Sequence, residues 1–180
     1  MKHLIIICLL TCTYFSHAQE LVSVTKDRFT NQDIKESDFN RLAGNPFTGS
    51  LSVKAEAADT LVSLSFKFSS GGPHTNIDVR KGADIYIRLD NDSVIQLSAE
   101  PVLAPSRPSP FERPHGGGSV LQTQDINRAD RRALRHHGAV ALRIRSGKLT
   151  KDYNIDKDNI YIIGNCIHVV TSKKVKASAD

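Results

Sequence analysis

The chain has 180 residues, of which 39% are hydrophobic and 24% charged, a balance typical of globular proteins rather than disordered or fibrous ones. It contains no tryptophan and only 6% aromatic residues, which disfavours functions that need aromatic platforms, such as sugar stacking or single-strand base stacking. The formal net charge of +5 is compatible with anionic partners, although many proteins of this charge bind nothing anionic.

The first eighteen residues have the layout of a secretory signal peptide. A short polar start precedes an apolar run over 4–15, and Ser16 and Ala18 are the small residues expected at the −3 and −1 positions of a cleavage site. The apolar run is shorter than the ~20 residues that a helix needs to span a bilayer. An uncleaved anchor and lipoprotein processing at Cys12 are the alternatives. We therefore expect export, to the periplasm, the outer membrane or the medium.

Cleavage after residue 18 would leave 180 − 18 = 162 residues, enough for one ordinary domain. We expect a signal peptide at 1–18, one β-rich domain at 19–172 and a polar tail at 173–180. Two of the three cysteines would leave with the signal peptide, so Cys166 would have no internal disulfide partner.

Alternation of apolar and polar residues dominates the body of the chain. It runs through 51–55, 62–68, 83–89, 140–144 and 149–155. Successive side chains of a strand point to opposite faces, so each run predicts a strand with one dry face, as in antiparallel sheets. Shorter strands are expected around Val22, Val24, Ile77, Val79, Ile95, Leu97 and Val120. The pattern predicts a mainly β (α+β) fold, a single antiparallel sandwich or half-barrel with one or two short packed helices.

Two of the connections between these runs are typical of β-hairpin turns. Residues 90–93 are Asp-Asn-Asp-Ser, which tolerate left-handed backbone and bond locally. A two-residue loop at 146–147 would place Ile144 opposite Leu149, and it would also set two cationic residues, Arg145 and Lys148, opposite each other. A longer loop would relieve that repulsion, so the register stays open.

Residues 101–118 hold five of the seven prolines and three glycines. Proline lacks the amide donor that a ladder needs and glycine is costly to order, so this segment predicts a long, mobile surface loop between two strands.

A short basic helix is predicted over 126–137, with Asp125 as its cap and Gly138 closing its end. At about 100° per residue, Ile126, Ala129 and Ala133 fall on the packed side. Four arginines fall together on the opposite side, namely Arg128, Arg131, Arg132 and Arg135. Such a row can bind phosphate or carboxylate through bidentate hydrogen bonds, and Arg143, Arg145 and Lys148 of the next hairpin could join it. The alternative is a solvated helix face.

The last apolar segment has a mixed signal. Asp156 could cap a helix over 157–170, yet β-branched runs favour a strand and Gly164 weakens a helix. Helix is the preferred interpretation. Cys166 lies among isoleucines and valines, which predicts a small buried apolar residue rather than a nucleophile or an intermolecular disulfide.

The order of these segments is similar to that of small exported β-rich domains of unknown function from Bacteroidetes-type bacteria. The likeness lies in the strand–turn–strand unit at 85–97, the helix at 126–137, and the strands at 140–145 and 148–155. The loop at 101–118 departs from that pattern. The resemblance implies an exported, β-rich, non-catalytic module, and it transfers no site residue.

The chain lacks the common catalytic and metal motifs. Residues 152–158 begin like a calcium loop, but Lys157 stands where the glycine should be and Ile163 where the bidentate glutamate should be. His136 and His137 point about 100° apart on a helix, so they are poorly placed to share a metal ion, and Cys166 with His168 supplies only two ligands. Neither a Gly-x-Ser-x-Gly elbow nor a phosphate loop occurs. We expect no metal site and no cofactor.

Three functional hypotheses follow. The first is a non-enzymatic exported binding or structural module with an envelope or extracellular partner. The second is a binder of anionic ligands, such as acidic lipid or polysaccharide, through the arginine row. The third is an enzyme whose site is assembled from distant loops. Nucleic acid is not the expected partner of an exported chain, and no transmembrane segment is expected after signal cleavage.

Overall fold

The structure is a computed structural model that describes most of the chain. The described residues are 21–45, 49–69, 82–102, 119–147 and 149–172. The predicted signal peptide, the strand expected around Ile77 and Val79, the body of the proline- and glycine-rich segment and the polar tail lie outside the described residues.

The described residues form ten strands and two α-helices, so the predicted mainly β (α+β) class is confirmed. The strands are β1 (Leu21–Lys26), β2 (Asp33–Ser37), β3 (Asn40–Asn45), β4 (Gly49–Ala58), β5 (Leu61–Ser69), β6 (Ala83–Leu89), β7 (Val94–Pro101), β8 (Ser119–Thr123), β9 (Ala139–Ser146) and β10 (Leu149–Asn154). The helices are α1 (Arg128–His136) and α2 (Ile162–Thr171), the latter preceded by a 3₁₀ turn at Lys157–Asn159.

All ten strands belong to one antiparallel sheet, in the order β1-β2-β4-β5-β8-β7-β6-β9-β10, with β3 also paired to β4. Only Asp38 and Phe39 separate β2 from β3, so together these two strands follow most of β4 as one interrupted strand. The segment predicted as a loop, 101–118, follows β7 and precedes β8, and these two strands pair with each other. Its first residue, Pro101, is the last residue of β7 and lies opposite Leu121, so the predicted start of the loop is corrected.

The sheet is strongly curved but not closed into a barrel. Five strand-to-strand steps separate β5 from β10, which would be roughly 24 Å in a flat sheet. The rings of Phe68 and Tyr153, on these two strands, nevertheless have centroids 6.0 Å apart. The backbone N–H of Asp156, just after β10, donates to the carbonyl of Leu42 in β3 at 3.1 Å. The sheet therefore wraps around its core as the half-barrel alternative predicted.

One face of the sheet supplies the core. Odd-numbered positions are buried in β4 and β6, and even-numbered positions are buried in β5 and β9. Hydrogen-bonded registers place these positions side by side, as with Val53 beside Phe66 and Ile87 beside Leu142. The strands predicted from alternation are thereby confirmed, as are those around Val22, Val24, Ile95, Leu97 and Val120.

Helix α2 covers the part of the core beside β4 and β2. Its buried residues Ile163, Cys166, Ile167 and Val170 recur with helical spacing. Gly164 is buried where α1 crosses, and a Cβ at this position would collide with the carbonyl oxygen of Leu134. The helix interpretation of this segment is confirmed in type, although α2 begins at Ile162 and the residues after Asp156 form only a 3₁₀ turn. The predicted burial of Cys166 is also confirmed.

The register of the β9–β10 hairpin, which the sequence left open, differs from the one that a two-residue loop at 146–147 would give, because the turn comes one residue later in the chain. The turn falls between Ser146 and Leu149, which lie opposite each other, and Gly147 within it has φ +57°. Leu149 therefore does not pair with Ile144. This register replaces the like-charge pair by a favourable one, since Arg143 lies opposite Asp152 and bonds its carboxylate through Nε and Nη2, both at 2.7 Å.

The predicted ends of α1 are also corrected. Asn127, not Asp125, is the cap, because its side chain accepts from the N–H of Asp130 at 2.9 Å. Asp125 instead accepts from the N–H of Val62 at 2.7 Å. At the other end, His137 is the capping residue and Gly138 is a buried residue after it.

The packed side of α1 is corrected as well. Leu134 is its buried residue, whereas Ala129 is exposed and Ala133 is only half-buried against the core. Ile126 is buried as expected, but it precedes the helix. The short helix therefore depends on one leucine for most of its apolar burial.

Candidate functional site: an arginine-lined cleft

Helix α1 is held in place at its start and at its middle. The N–H of Ile126 donates to the carbonyl of Val62 in β5 at 2.8 Å, which ties the approach to the helix to the sheet. Leu134, 1% exposed, anchors the second turn in the core. With Leu134 turned inward, helical geometry leaves the arginine row on the side that faces β2, the β4–β5 turn and α2.

That side of α1 forms one wall of a cleft of about 960 Å³. The opposite walls are supplied by the start of β2, by the β4–β5 turn and by α2. The structure brings the four predicted arginines together here. The charged and hydrogen-bonding residues that line the cleft are Gln32, Asp33, Lys35, Asp59, Thr60, Arg128, Arg131, Arg132, Arg135, His136 and Thr171.

Two of the four arginines are fixed by hydrogen bonds. Nη1 of Arg131 donates to the carbonyl of Thr60 at 3.0 Å, in the β4–β5 turn. Nη2 of Arg135 lies 3.0 Å from Nδ1 of His168 in α2. Because a guanidinium group has only donors, this contact makes Nδ1 the acceptor and places the proton of the neutral imidazole on Nε2. The guanidinium groups of Arg131 and Arg135 are therefore preorganised.

Arg131 carries an unsatisfied donor. Its Nε is buried and has no hydrogen-bond partner among the described residues. A buried donor without an acceptor costs about 1–3 kcal/mol. A ligand oxygen that reached this group would recover that cost.

The cleft has an excess of positive charge. Four arginines and Lys35 line it against two carboxylates, Asp33 and Asp59. Within the described ranges, the ion pairs are Lys54–Glu36, His137–Asp90 and Arg143–Asp152, and none of these involves an arginine of α1. Arg128 and Arg132 are exposed. The arginines of α1 therefore form no ion pair with a carboxylate of the described part of the chain.

A second groove, of about 760 Å³, lies on the other side of the row. Arg128, Arg132 and His136, spaced four residues apart, line both the cleft and this groove. The exposed guanidinium groups can therefore reach a ligand from either side of α1.

The second basic group predicted from the sequence lies elsewhere. Arg143 and Arg145 line a groove beside Tyr86 and Arg88, and none of the four α1 arginines lines it. Arg143 is also engaged by Asp152, and their hydrogen bonds lower the pKa of the carboxyl group and raise the pKa of the guanidinium. Lys148 lies outside the described residues. These residues do not extend the arginine row.

The described residues offer little for metal or nucleophilic chemistry. They contain no group of three or more His, Cys, Asp or Glu side chains that could hold a metal ion. Cys166 is fully buried, and burial raises the pKa of its thiol, which opposes thiolate formation. His168 is exposed, on another side of α2 from Cys166, so these two do not share a face.

Sequence reasoning found the arginines but missed the opposite wall. Lys35, Asp59 and Thr60 reach the cleft because β2 and the β4–β5 turn lie beside α1 in space. The segment Asp-Ile-Lys-Glu-Ser of β2 has no clear alternation, so nothing local marked it as a strand or as part of a site.

Comparison of the chain with models of protein families, with curated proteins and with solved structures found no match. In the described part of the chain, no helix has the length and apolar character needed to cross a membrane.

Proposed function

We propose that this protein is an exported, non-enzymatic binding module of the cell envelope that holds an anionic ligand in the arginine-lined cleft. The observation that carries the proposal is the convergence of Arg128, Arg131, Arg132 and Arg135 on one cleft without a carboxylate partner among the described residues. Guanidinium groups bind phosphate and carboxylate by paired hydrogen bonds, so phosphorylated or carboxylated ligands fit this site.

The four arginines form two pairs that differ in whether their guanidinium groups are already hydrogen-bonded within the protein. Arg131 and Arg135 are already ordered by Thr60 and His168, so little conformational entropy is lost when they bind. Arg128 and Arg132 are exposed and free to close over the ligand. Export is supported by the apolar run and small residues of 1–18, and the intact mass of the protein recovered from the periplasm or medium tests it. The hypothesis of an enzyme with a dispersed site stays a prediction.

The cleft is tested with a compact soluble polyanion, inositol hexakisphosphate, in titration calorimetry. Arg128→Glu combined with Arg132→Glu should weaken binding by at least about tenfold, because two charge-assisted contacts become repulsions. Neither side chain makes a hydrogen bond within the described residues, so the fold should survive. Affinity should also fall as salt is added.

The matched control is Arg88→Glu combined with Arg145→Glu, which makes the same change in net charge in the separate groove beside Tyr86. Binding by this variant should stay close to that of the wild type. If both pairs weakened binding equally, net charge rather than the cleft would be responsible, and the proposed site would be rejected.

A further inference from the structure

The turn between β1 and β2 exposes a large aromatic ring. Phe29 is 99% exposed, and it lies between Arg28 and Thr30 at the tip of this hairpin. Single exposed apolar residues are common on protein surfaces, so the ring acquires meaning only from the groups around it.

This turn has a defined shape. The carboxylate of Asp27 accepts from the N–H groups of Phe29 at 2.7 Å and Thr30 at 3.0 Å, and these bonds lower its pKa. The N–H of Asp27 donates to the carbonyl of Gln32 at 2.9 Å, and Asn31 has φ +56°. The backbone therefore holds Phe29 at the tip rather than letting it fold back.

The turn lies at the same end of the sheet as the cleft. Gln32, which closes the turn, also lines the cleft. The neighbouring β4–β5 turn ends at Leu61, which is 57% exposed and directly follows Thr60, the residue bonded by Arg131. Strand registers place the two turns side by side, since β2 pairs with β4 through Ile34 and Ala58. Two exposed apolar side chains, Phe29 and Leu61, thus lie beside a basic cleft.

We infer that this end of the protein docks on an anionic lipid bilayer. Phe29 enters the boundary between headgroups and acyl chains, and the arginine row binds lipid phosphates. Lys26 and Arg28, both exposed, add positive charge next to the aromatic tip. An aromatic ring combined with nearby cations is the arrangement that favours the interface of an anionic membrane. The inference deepens the proposed function and rests on it.

A bilayer fits this surface better than an acidic polysaccharide does. The described residues that line the cleft include no phenylalanine, tyrosine or tryptophan, the side chains on which sugars stack. The exposed apolar groups lie instead at the tips of two turns, where they can enter a lipid surface while the arginines remain at the level of the phosphates.

The absence of tryptophan from the chain allows a direct test. Phe29→Trp introduces the only tryptophan of the protein, and Val94→Trp places it at another exposed apolar position, 58% exposed and in the separate groove. The full-length sequence is expressed, the protein is purified with whatever processing the cell has performed, and its intact mass is recorded. The probes are vesicles of phosphatidylcholine alone and of equal parts phosphatidylcholine and phosphatidylglycerol.

We expect the emission of the Phe29→Trp protein to shift to shorter wavelength with the mixed vesicles and not with phosphatidylcholine alone. The Val94→Trp protein should show no shift. If the Phe29→Trp protein sedimented with the mixed vesicles without any change in emission, the insertion of this turn would be disproved.

Cosedimentation separates this inference from the proposed function. Phe29→Ser should lower partition onto mixed vesicles roughly tenfold while leaving binding of inositol hexakisphosphate unchanged. Arg128→Gln combined with Arg132→Gln should lower vesicle binding roughly thirtyfold and should weaken binding of the soluble anion as well. An unaffected Phe29→Ser protein would overturn membrane docking and leave the anion cleft standing. Unaffected arginine variants in both assays would overturn both proposals.

Discussion

At the scale of single residues, carboxylates near α1 act as structural acceptors rather than as partners for the arginines. Asp90, at the β6–β7 turn, accepts from the N–H of Gly138 at 2.9 Å through Oδ2, and its Oδ1 lies 3.2 Å from Nδ1 of His137. The carboxylate therefore ties this turn to the junction between α1 and β9. The bond from Gly138, followed by that from His137, lowers the pKa of Asp90.

This lowered pKa predicts a pH dependence of stability. A carboxyl group whose pKa is lower in the folded state stabilises the fold above its ordinary pKa, about 3.9, and that contribution is lost as the pH falls through the folded value. Asp90→Asn should therefore lower the thermal midpoint at neutral pH, and the difference from the wild type should shrink in acid. Thermal unfolding, followed by circular dichroism from neutral to acidic pH, measures the difference in thermal midpoint between the two proteins.

Asp92→Asn is the matched control, because Asp92 lies in the same turn but bonds neither Gly138 nor His137. Asp92 has φ +62°, a conformation that asparagine also tolerates. A constant difference between wild type and Asp90→Asn at every pH would contradict the stabilising role of the Asp90 charge.

At the scale of elements, the position of α1 depends on its crossing with α2. Gly164→Ala would place a Cβ against the carbonyl oxygen of Leu134 and 3.1 Å from Cα of Arg135. Alanine favours helices over glycine by about 1 kcal/mol, yet the collision is with backbone that cannot rotate away. We expect a net loss of about 1–3 kcal/mol in the free energy of unfolding, measured with urea.

Asn165→Ala, at the exposed neighbouring position of the same helix, is the control and should be neutral or slightly stabilising. Because Arg135 belongs to the displaced turn, Gly164→Ala should also weaken anion binding. If the methyl group added by Gly164→Ala were accommodated without loss of stability, the two helices would not be locked at this crossing.

The elements also show what local sequence can and cannot reveal. Strands such as β5 and β6 were predictable because half of each strand is buried on one face, which imposes alternation. The cap of α1 was not predictable, because Asp125 and Asn127 are both good capping residues. Asp125 is drawn away from the helix by the N–H of Val62, and this residue is distant in sequence. The β9–β10 register likewise depends on a pair, Arg143 with Asp152, that alternation does not reveal.

The candidate site was predictable only in part for the same reason. Helical spacing alone put the four arginines on one side of α1. Whether that side meets open solvent or a cleft depends on β2 and on Thr60, which are far from α1 in sequence and adjacent only in the fold. Long-range packing, rather than any motif, turns a basic helix face into the wall of a site.

At the scale of the whole molecule, the curvature of the sheet allows its distant strands to share one core. Phe68 and Tyr153 meet although roughly 24 Å of flat sheet would separate their strands. Nζ of Lys151 also lies 5.1 Å from the centroid of the Tyr153 ring, which adds a cation–π contact on the β10 side. Contacts between the two flanks should therefore contribute to global stability.

A double-mutant cycle tests this closure. Phe68→Leu and Tyr153→Leu, alone and combined, should show a coupling energy of about 0.5–1.5 kcal/mol in urea unfolding, because each ring stabilises the fold less once the other ring has been removed.

The control cycle pairs Phe68→Leu with Tyr86→Leu. Tyr86 alternates with the buried positions of β6 and so lies on the outer face, where no coupling to Phe68 is expected. Coupling in the first cycle alone would establish that β5 and β10 stabilise each other across the core. Additive effects in the first cycle would mean that the curvature is maintained by the local twist of the strands, without help from contact between the flanks.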